Sequence, residues 1–276
     1  MDCAITRLVY VMAWRWGGAG GLQAEEGWLV PERLAVTPGA KLTFSRQRVA
    51  VFSVEGSLAN GGTAARGWAR SGKDLFAVQV GPSVGGEPFS VTVLRPGFVL
   101  LAVDGVLPVR DWPPEQGERR WREVAASGAL RAEGKAQGGT RRWPEKEVRR
   151  ALAFVRVGEP DSSDQSWRVG GGHGLKIIPE RDPTVPRVGD ILEVRVWAEG
   201  RPRREFVIDD VSWGETREHG VVTDEWGRAA PPLRRCAAAP FDVVGSWLVR
   251  GTQLRRSTAA AEGWESATVS LFVEVK

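Results

Sequence analysis

The chain has 276 residues, of which 42% are hydrophobic and 26% charged, and its net charge is +4 at pH 7. These values are typical of a soluble globular protein with a sizeable core, and no apolar run approaches the roughly 18 residues that a membrane span needs. The 34 glycines and 17 prolines interrupt the chain often. They favour short strands and turns over helices.

The basic excess does not indicate nucleic-acid binding. Between residues 115 and 150 ten Lys or Arg stand against six Asp or Glu, a surplus as large as that of the whole chain. The two signs alternate there, whereas a nucleic-acid surface is a patch of one sign. A mixed, solvated face is therefore expected. The two cysteines, Cys3 and Cys236, form no CxxC pair and predict neither a zinc ribbon nor a redox motif.

The first 24 residues are typical of a secretory signal. Arg7 precedes a short apolar run at 8–14, and Leu22 and Ala24 offer small-residue cleavage spacing, although Asp2 and Arg15 interrupt the pattern. We therefore expect residues 1–24 to be a signal peptide. A periplasmic or secreted location follows from it.

Residues 25–158 predict a first β-sandwich. Its strand-like runs are separated by Pro- and Gly-containing turns, and the run at 98–103 is the most apolar. A charged excursion at 111–148 interrupts the pattern, with a helix turn predicted at Trp143, Pro144 and Glu145 because proline suits a first helical position. Alternation then returns at 149–157. The predicted strands are 27–31, 41–45, 48–54, 75–80, 89–94 and 98–103.

Residues 159–174 are predicted to be a linker, and 175–276 a second β-sandwich. The linker is rich in Gly, Ser and Asp and has little to bury, and His173 is expected to be an exposed residue within it. In the second half the run at 191–198 alternates strictly. The predicted strands there are 175–179, 191–198, 205–209, 220–223, 245–251 and 267–275. The fold class predicted is thus all-β, with two sandwich domains in series.

A hairpin turn is predicted at residues 224–227 of the second half. Asp is favoured at the first position of a type I turn because its carboxylate accepts backbone N–H groups. Gly is favoured at the fourth position, where the backbone is left-handed. Asp224 and Gly227 satisfy both demands. They are therefore predicted to be structural turn residues.

The order of these segments resembles a family of bacterial periplasmic proteins catalogued as being of unknown function and formerly labelled a periplasmic component of nickel and cobalt uptake. The resemblance implies immunoglobulin-like or prealbumin-like sandwiches and a non-enzymatic, exported cell-envelope binding protein. It also implies a role accessory to Ni or Co uptake, with a metal transporter or envelope protein as partner. The segments that carry it are Leu175–Pro179, Val188–Val194, Glu199–Pro202, Val222–Ala229, Gly245–Val249 and Ala267–Leu271, with Trp28–Pro31, Pro38-Gly39 and Arg149–Gly158 in the first half.

One departure weakens the metal role. Members of the family carry a histidine just before the segment that corresponds to Trp28–Pro31, whereas this chain has Gln23 to Gly27 there. The candidate ligands that are left for a nickel or cobalt ion are His219, Asp209 and Asp210, because imidazole and carboxylate groups bind such ions.

No catalytic motif is present, so an enzyme is not expected: GxSxG, HExxH and a phosphate-binding GK[ST] loop are all missing from the sequence. Thirteen tryptophans against one tyrosine are unusual. The alternative function is a structural or adhesion-like module that contacts proteins or glycans through loop tryptophans, because exposed indoles anchor interfaces. The candidates are Trp112, Trp121, Trp143 and Trp226. The other interpretation is that such rings cover the excursion and the domain junction.

Overall fold

The fold is all-β, as the sequence predicts. The computed structural model describes residues 26–49, 65–78, 89–113, 120–121, 130, 132, 143–170, 174–212, 219–229, 245–257 and 263–276. Within these residues 17 strands and one short 3-10 helix, η1 (Ser166–Arg168), are present, together with helical residues at 120, 121, 130 and 132. None of the helices among them is long and apolar enough to cross a membrane. The predicted signal peptide lies outside the described residues.

The described strands form three sheets. The three-stranded sheet has the order β1 (Glu26–Pro31), β3 (Lys41–Val49), β6 (Phe89–Thr92). In the four-stranded sheet β11 (Val194–Ala198) pairs with β10 (Lys176–Pro179), β12 (Arg201–Pro202) and β15 (Arg228–Ala229). The ten-stranded sheet runs β14 (His219–Val222), β13 (Val207–Ser212), β16 (Gly245–Arg256), β17 (Trp264–Val275), β9 (Trp143–Val157), β7 (Gly97–Val106), β4 (Ala65–Ser71), β5 (Asp74–Val78), and both β2 (Ala35–Val36) and β8 (Arg110–Trp112) pair with β9.

Strands from both halves of the chain share the ten-stranded sheet. β9 of the first half pairs in parallel with β17 of the second, with Glu145 opposite Trp264 and Ala153 opposite Phe272. β17 in turn pairs antiparallel with β16 over the full twelve residues of each strand. The boundary predicted at 159–174 thus lies between strands that belong to one sheet.

The two faces of this sheet carry two different cores. On β7 the side chains alternate: Leu100 and Ala102 join the first core, while Val99 and Leu101 join the second. The first core lies against the four-stranded sheet through Val194 and its neighbours. The second core lies against the three-stranded sheet through residues such as Leu29, Leu42 and Phe44. β-Sandwich packing therefore occurs on both faces of one sheet.

Burial on both faces explains the apolar run at 98–103. A strand with one solvated face alternates apolar and polar residues, whereas a strand covered on both faces is apolar throughout. All of these six residues are buried, and on β9 the neighbouring residues 151–155 are buried as well. The run therefore identifies the strand of the first half that lies between the two cores.

The predicted helix turn at Trp143, Pro144 and Glu145 is wrong. These residues begin β9 and pair with β8, where Trp143 lies opposite Trp112. Proline has no N–H to donate, so a strand end next to a short three-residue partner accommodates Pro144. Helical residues do occur within the excursion, at Arg120 and Trp121.

The segment predicted to be a linker packs on the sheet through one large side chain. Trp167, in η1, contacts Phe98 edge to face at 4.8 Å between ring centroids and packs against the first core. Its turns are fixed by Asp161, which accepts the Ser163 N–H at 2.8 Å, and by Asp164, which accepts the Ser166 N–H at 2.9 Å. The described part of the segment therefore has an ordered conformation.

Candidate binding surface

The turn after β14 is closed by the side chain and backbone of Asp224. Its Oδ1 accepts the N–H groups of Trp226 at 2.9 Å and Arg228 at 2.8 Å. Its carbonyl oxygen accepts the Gly227 N–H at 3.0 Å, and its own N–H donates to the Arg228 carbonyl at 2.8 Å. A carboxylate bonded to backbone two residues on is the usual reason for Asp at the start of a turn. The turn between Asp224 and Arg228 therefore has little conformational freedom.

Gly227 meets two separate demands in this turn. Its φ is 73°, in the left-handed region that glycine adopts without strain. It also lies so close to β11 that a Cβ atom would be 2.5 Å from the Val196 carbonyl oxygen and 2.9 Å from the Arg203 nitrogen. The Val196 N–H donates to the Gly227 carbonyl at 2.7 Å. The turn is thus bonded directly to the four-stranded sheet.

Thr223 anchors the start of the turn, a role that the sequence analysis missed. Its buried hydroxyl accepts the Phe206 N–H at 2.9 Å and donates to the Arg203 carbonyl at 2.5 Å. Its backbone also exchanges hydrogen bonds with Glu205 and Phe206. The Thr-Asp pair in the sequence was the available signal, because a threonine hydroxyl satisfies both a donor and an acceptor of a neighbouring loop.

A second tight turn lies beside it on the same sheet. Glu199 and Gly200 connect β11 to β12 and have φ values of 54° and 77°, which are the signs of a two-residue type I′ hairpin. Glu199 also accepts from Arg255 at 2.8 Å, and Arg255 bonds Glu265 at 2.8 Å. These contacts link the hairpin to β16 and β17 of the ten-stranded sheet.

Trp226 is presented to solvent by this rigid turn. Its side chain is 56% exposed, and the guanidinium of Arg228 lies 5.8 Å from the centre of its ring. Val222, at the end of β14, is 58% exposed. We call Val222, Trp226 and Arg228 the Trp226 surface. A large indole that stays exposed on a turn closed by hydrogen bonds on both sides of it is preorganised for contact.

Two of the other candidate tryptophans are buried. Trp112 is 6% and Trp121 8% exposed, and they form a third core with Leu254 and Trp264. The excursion therefore packs against β16 and β17, as expected if such rings cover it rather than contact a partner. In this arrangement neither ring is accessible to a partner. The side chain of Trp143 lies outside the description.

Arginines surround this third core and one of them is ion-paired within it. Arg110 lies 4.9 Å and Arg120 5.4 Å from the centre of the Trp112 ring. Arg120 also forms a two-pronged bond to Glu145, with Nη2 to Oε1 at 2.6 Å and Nε to Oε2 at 3.0 Å. A buried guanidinium needs such a partner, because an unpaired charge in an apolar core is costly.

The predicted metal ligands lie on the hairpin of β13 and β14. Asp210 is the register partner of His219, and Asp209 is the partner of Gly220. The Asp209 carboxylate is 3.7 Å from Nε of Arg250, whose pKa burial lowers to about 10, so that Arg250 remains charged at neutral pH. Among the residues that the structure describes, no three His, Cys, Asp or Glu side chains are grouped to hold a metal ion. The nickel or cobalt site stays a prediction.

No family model and no curated protein matches the chain. Solved structures do match it at low similarity. The D0-D1 domain of Intimin is 11% identical, with 89% of this chain and 97% of that chain covered and a TM-score of 0.21. Three N-terminal domains of the bacteriophage RB49 Highly Immunogenic Outer Capsid protein are 6% identical over 91% and 71%, with a TM-score of 0.22.

A third match is the N-terminal four Ig domains of Dscam1 isoform 6.9. It is 12% identical, covers 92% of this chain and 52% of that one, and has a TM-score of 0.21. This chain thus spans about half the length of the Dscam1 fragment. TM-scores of this size carry no argument about function, which has to come from the surfaces of the chain itself.

Proposed function

We propose that the protein is a non-enzymatic, adhesion-like binding module of the cell envelope that contacts another protein through the Trp226 surface. The observation that carries this proposal is the 56% exposure of Trp226 on a turn that hydrogen bonds of Asp224 to Trp226, Gly227 and Arg228 hold closed. Tryptophan and arginine are the residues most enriched where alanine substitution weakens protein interfaces. Trp226 and Arg228 bring both to one short turn.

The energetic case rests on the rigidity of the turn. Binding costs free energy when loops and side chains must be ordered, and a preformed turn avoids most of that cost. The exposed indole also offers a large apolar area together with an N–H donor. A partner with an apolar pocket and an acidic rim would bury the ring and pair with the exposed Arg228.

The envelope location rests on the secretory pattern of residues 1–24. A fractionation experiment on cells that produce the full chain tests it directly. A shortened mature protein in the periplasmic or secreted fraction supports export. A full-length protein that stays in the cytoplasm would contradict it.

A role in metal uptake is the alternative function, and it rests on the resemblance of the chain to the periplasmic family. Asp209 already faces the positive charge of Arg250, which lowers the attraction of this carboxylate for a further cation. For this reason the protein-binding role is preferred. The role in uptake is tested by the histidine variants described in the Discussion.

The experiment compares two surface variants of the exported protein. Wild type, Trp226→Ala and Leu94→Ala are immobilised, and the envelope proteins that each retains are quantified. Leu94 is 74% exposed and lies in the first half of the chain, distant in sequence from Trp226. Leu94→Ala therefore controls for the loss of an exposed apolar side chain. We expect a protein that wild type and Leu94→Ala retain and that Trp226→Ala loses.

The protein found in this way is then purified and its affinity measured. We expect Trp226→Ala to weaken binding by about 2 kcal/mol or more, as truncation of an interface tryptophan usually does. Identical retention by all three proteins would overturn the assignment of the Trp226 surface.

A further inference from the structure

A second surface lies on the ten-stranded sheet, on the face that carries the first core. Along β4 three side chains share this face, namely Arg66, Trp68 and Arg70, because alternate residues of a strand point the same way. Arg66 lies opposite Asp104 of β7, and Asp104 lies opposite Arg150 of β9. The face thus changes from apolar residues at its centre to charged and aromatic residues towards β4.

The single carboxylate in this group is already engaged. Asp104 accepts from Nε of Arg150 at 2.5 Å and from Nη2 at 3.1 Å, and it also accepts the indole N–H of Trp68 at 3.1 Å. The guanidinium of Arg150 lies 6.0 Å from the centre of the Trp68 ring. These contacts fix the orientation of the ring and use the negative charge of Asp104.

Three further cations lie near this network. Arg66 is exposed, and Arg70 is half-buried and donates to the Gly72 carbonyl at 2.9 Å. Lys176 lies on β10, at the edge of the four-stranded sheet, near enough for the charges of Arg150 and Arg70 to act on it. A Cβ atom on Gly170 would lie 3.0 Å from Cδ of Lys176, so the chain before β10 lies close over the lysine stem. Within the described residues, no carboxylate pairs with any of these three cations.

The positive charges are close enough to affect each other. The pKa of Lys176 lies below its ordinary value of 10.5, first because the side chain is partly buried and then because Arg150 and Arg70 place like charges nearby. Among the described residues, this group thus combines four positive side chains, those of Arg66, Arg70, Arg150 and Lys176, with the one carboxylate of Asp104. The mutual repulsion of these positive charges destabilises the folded state, and a bound anion would relieve it. The same charges attract anions from solution.

We infer that this surface binds an acidic saccharide, a chain of sugars that carry carboxylate or sulfate groups. Arginine presents a planar fork of donors that matches both groups, and lysine adds a mobile point charge. Trp68 packs against the first core and has the guanidinium of Arg150 6.0 Å from its ring centre, so the exposed part of this half-buried ring is the apolar surface that a sugar would contact. Arg66 and Arg70 are four residues apart on one strand, roughly 13 Å. That distance suits an oligosaccharide with charges on several sugars.

The geometry favours a saccharide over a nucleic acid. Single-stranded nucleic acids stack successive bases on several aromatic rings in a positively charged groove. In the described part of this face Trp68 is the aromatic residue between the arginines, and its edge is held by Asp104. The experiment must still distinguish saccharide binding from sequence-independent binding of nucleic acid.

The test is titration calorimetry of the full chain with an oligogalacturonate, a sulfated heparin fragment and a neutral oligosaccharide of the same length. We expect one or both acidic sugars to bind and the neutral sugar not to bind. Binding of the oligogalacturonate would show that carboxylates suffice, whereas binding of the heparin fragment alone, which carries both carboxylates and sulfates, would show that sulfate is required. Single-stranded DNA and polyphosphate serve as polyanions without sugar carboxylates or sulfates.

The variants are Arg70→Ala, Lys176→Ala and Arg70→Lys, with Arg33→Ala as control. We expect each alanine variant at the site to weaken binding about tenfold or more, since it removes a charge-assisted hydrogen bond. Arg70→Lys should restore part of the affinity. Arg33→Ala should leave it unchanged, because Arg33 is exposed and adjoins Leu34 of the second core. Unchanged melting temperatures would show that the variants fold.

Two results would overturn the inference. One is that no acidic sugar binds to the wild-type protein. The other is that DNA and polyphosphate bind as tightly as the acidic sugars, which would show general attraction of polyanions. The test is independent of the Trp226 surface, because Trp226→Ala should leave saccharide binding intact and Arg70→Ala should leave protein retention intact.

Discussion

Gly227 lies against the carbonyl oxygen of Val196, so near that a side chain on residue 227 would be 2.5 Å from it. Because φ of Gly227 is also 73°, Gly227→Ala combines backbone strain with a collision against a sheet strand. We expect it to lower the free energy of unfolding by at least about 1–3 kcal/mol in denaturant titration.

A matched control for this change is Gly200→Ala. Gly200 has a similar φ of 77°, but a Cβ atom there would meet nothing within 4 Å. It therefore measures the cost of the conformation without the collision. Equal losses in the two variants would show that the close approach to Val196 contributes nothing.

The buried pair of Arg120 and Glu145 should be sensitive to loss of charge. The two side chains are 7% and 2% exposed, so Glu145→Gln leaves the guanidinium facing a neutral group inside the third core. We expect a loss of about 3–5 kcal/mol in the free energy of unfolding.

Asp74→Asn is the comparison for the buried pair. Asp74 is 3.8 Å from Arg95, with side-chain exposures of 56% and 85%, so solvent screens the interaction. It should change stability by less than about 1 kcal/mol. A Glu145→Gln variant as stable as Asp74→Asn would contradict the role of burial.

Glu147 should make stability depend on acid pH. Burial raises the pKa of this carboxyl, but the charges of Arg149, Arg120 and Arg110 and a 2.6 Å bond from Arg149 together hold the pKa below its ordinary 4.5. A depressed carboxyl pKa stabilises the folded state above the unfolded pKa, and this contribution is lost as pH falls through the folded pKa.

The expected result is a stability difference between wild type and Glu147→Gln that is present at neutral pH. It should shrink as the pH is lowered from 4.5 through the folded pKa of Glu147. Denaturant titrations of both proteins across this interval measure it. A difference that does not vary with pH would show that the ionisation of Glu147 is not linked to folding.

The metal hypothesis makes a prediction about the two histidines. If nickel or cobalt binds at the β13 and β14 hairpin, His219→Ala should abolish the heat of binding in calorimetry. His173→Ala is the matched control, since His173 is the other histidine of the chain and belongs to the Gly-rich segment. Unchanged affinity in His219→Ala would remove this residue from any site.

The local features of the fold followed from local sequence signals. The Asp224 and Gly227 pattern identified a turn because both residues act on their own backbone. The strand predicted at 191–198 is confirmed in its last five residues, which form β11, because apolar and polar residues alternate there. Such signals are complete within a few residues of the chain.

The long-range features had no such signal. The parallel pairing of β9 with β17 joins Glu145 to Trp264 across more than a hundred residues of sequence, and no short pattern specifies a partner so distant. The burial of Trp112 likewise depends on Leu254 and Trp264, which follow it far along the chain. Local sequence alone therefore predicts that a tryptophan in a polar stretch is exposed, because the residues that bury it lie far away in the chain.

The position of β17 also bears on the order in which the protein folds during synthesis. Residues 264–275 are synthesised more than a hundred residues after β9 begins, yet they lie between β16 and β9 inside the largest of the described sheets. Until they arrive, the edge of β9 that they cover is an open template for pairing with other chains. The nascent chain is therefore expected to need protection from aggregation until β17 has been made.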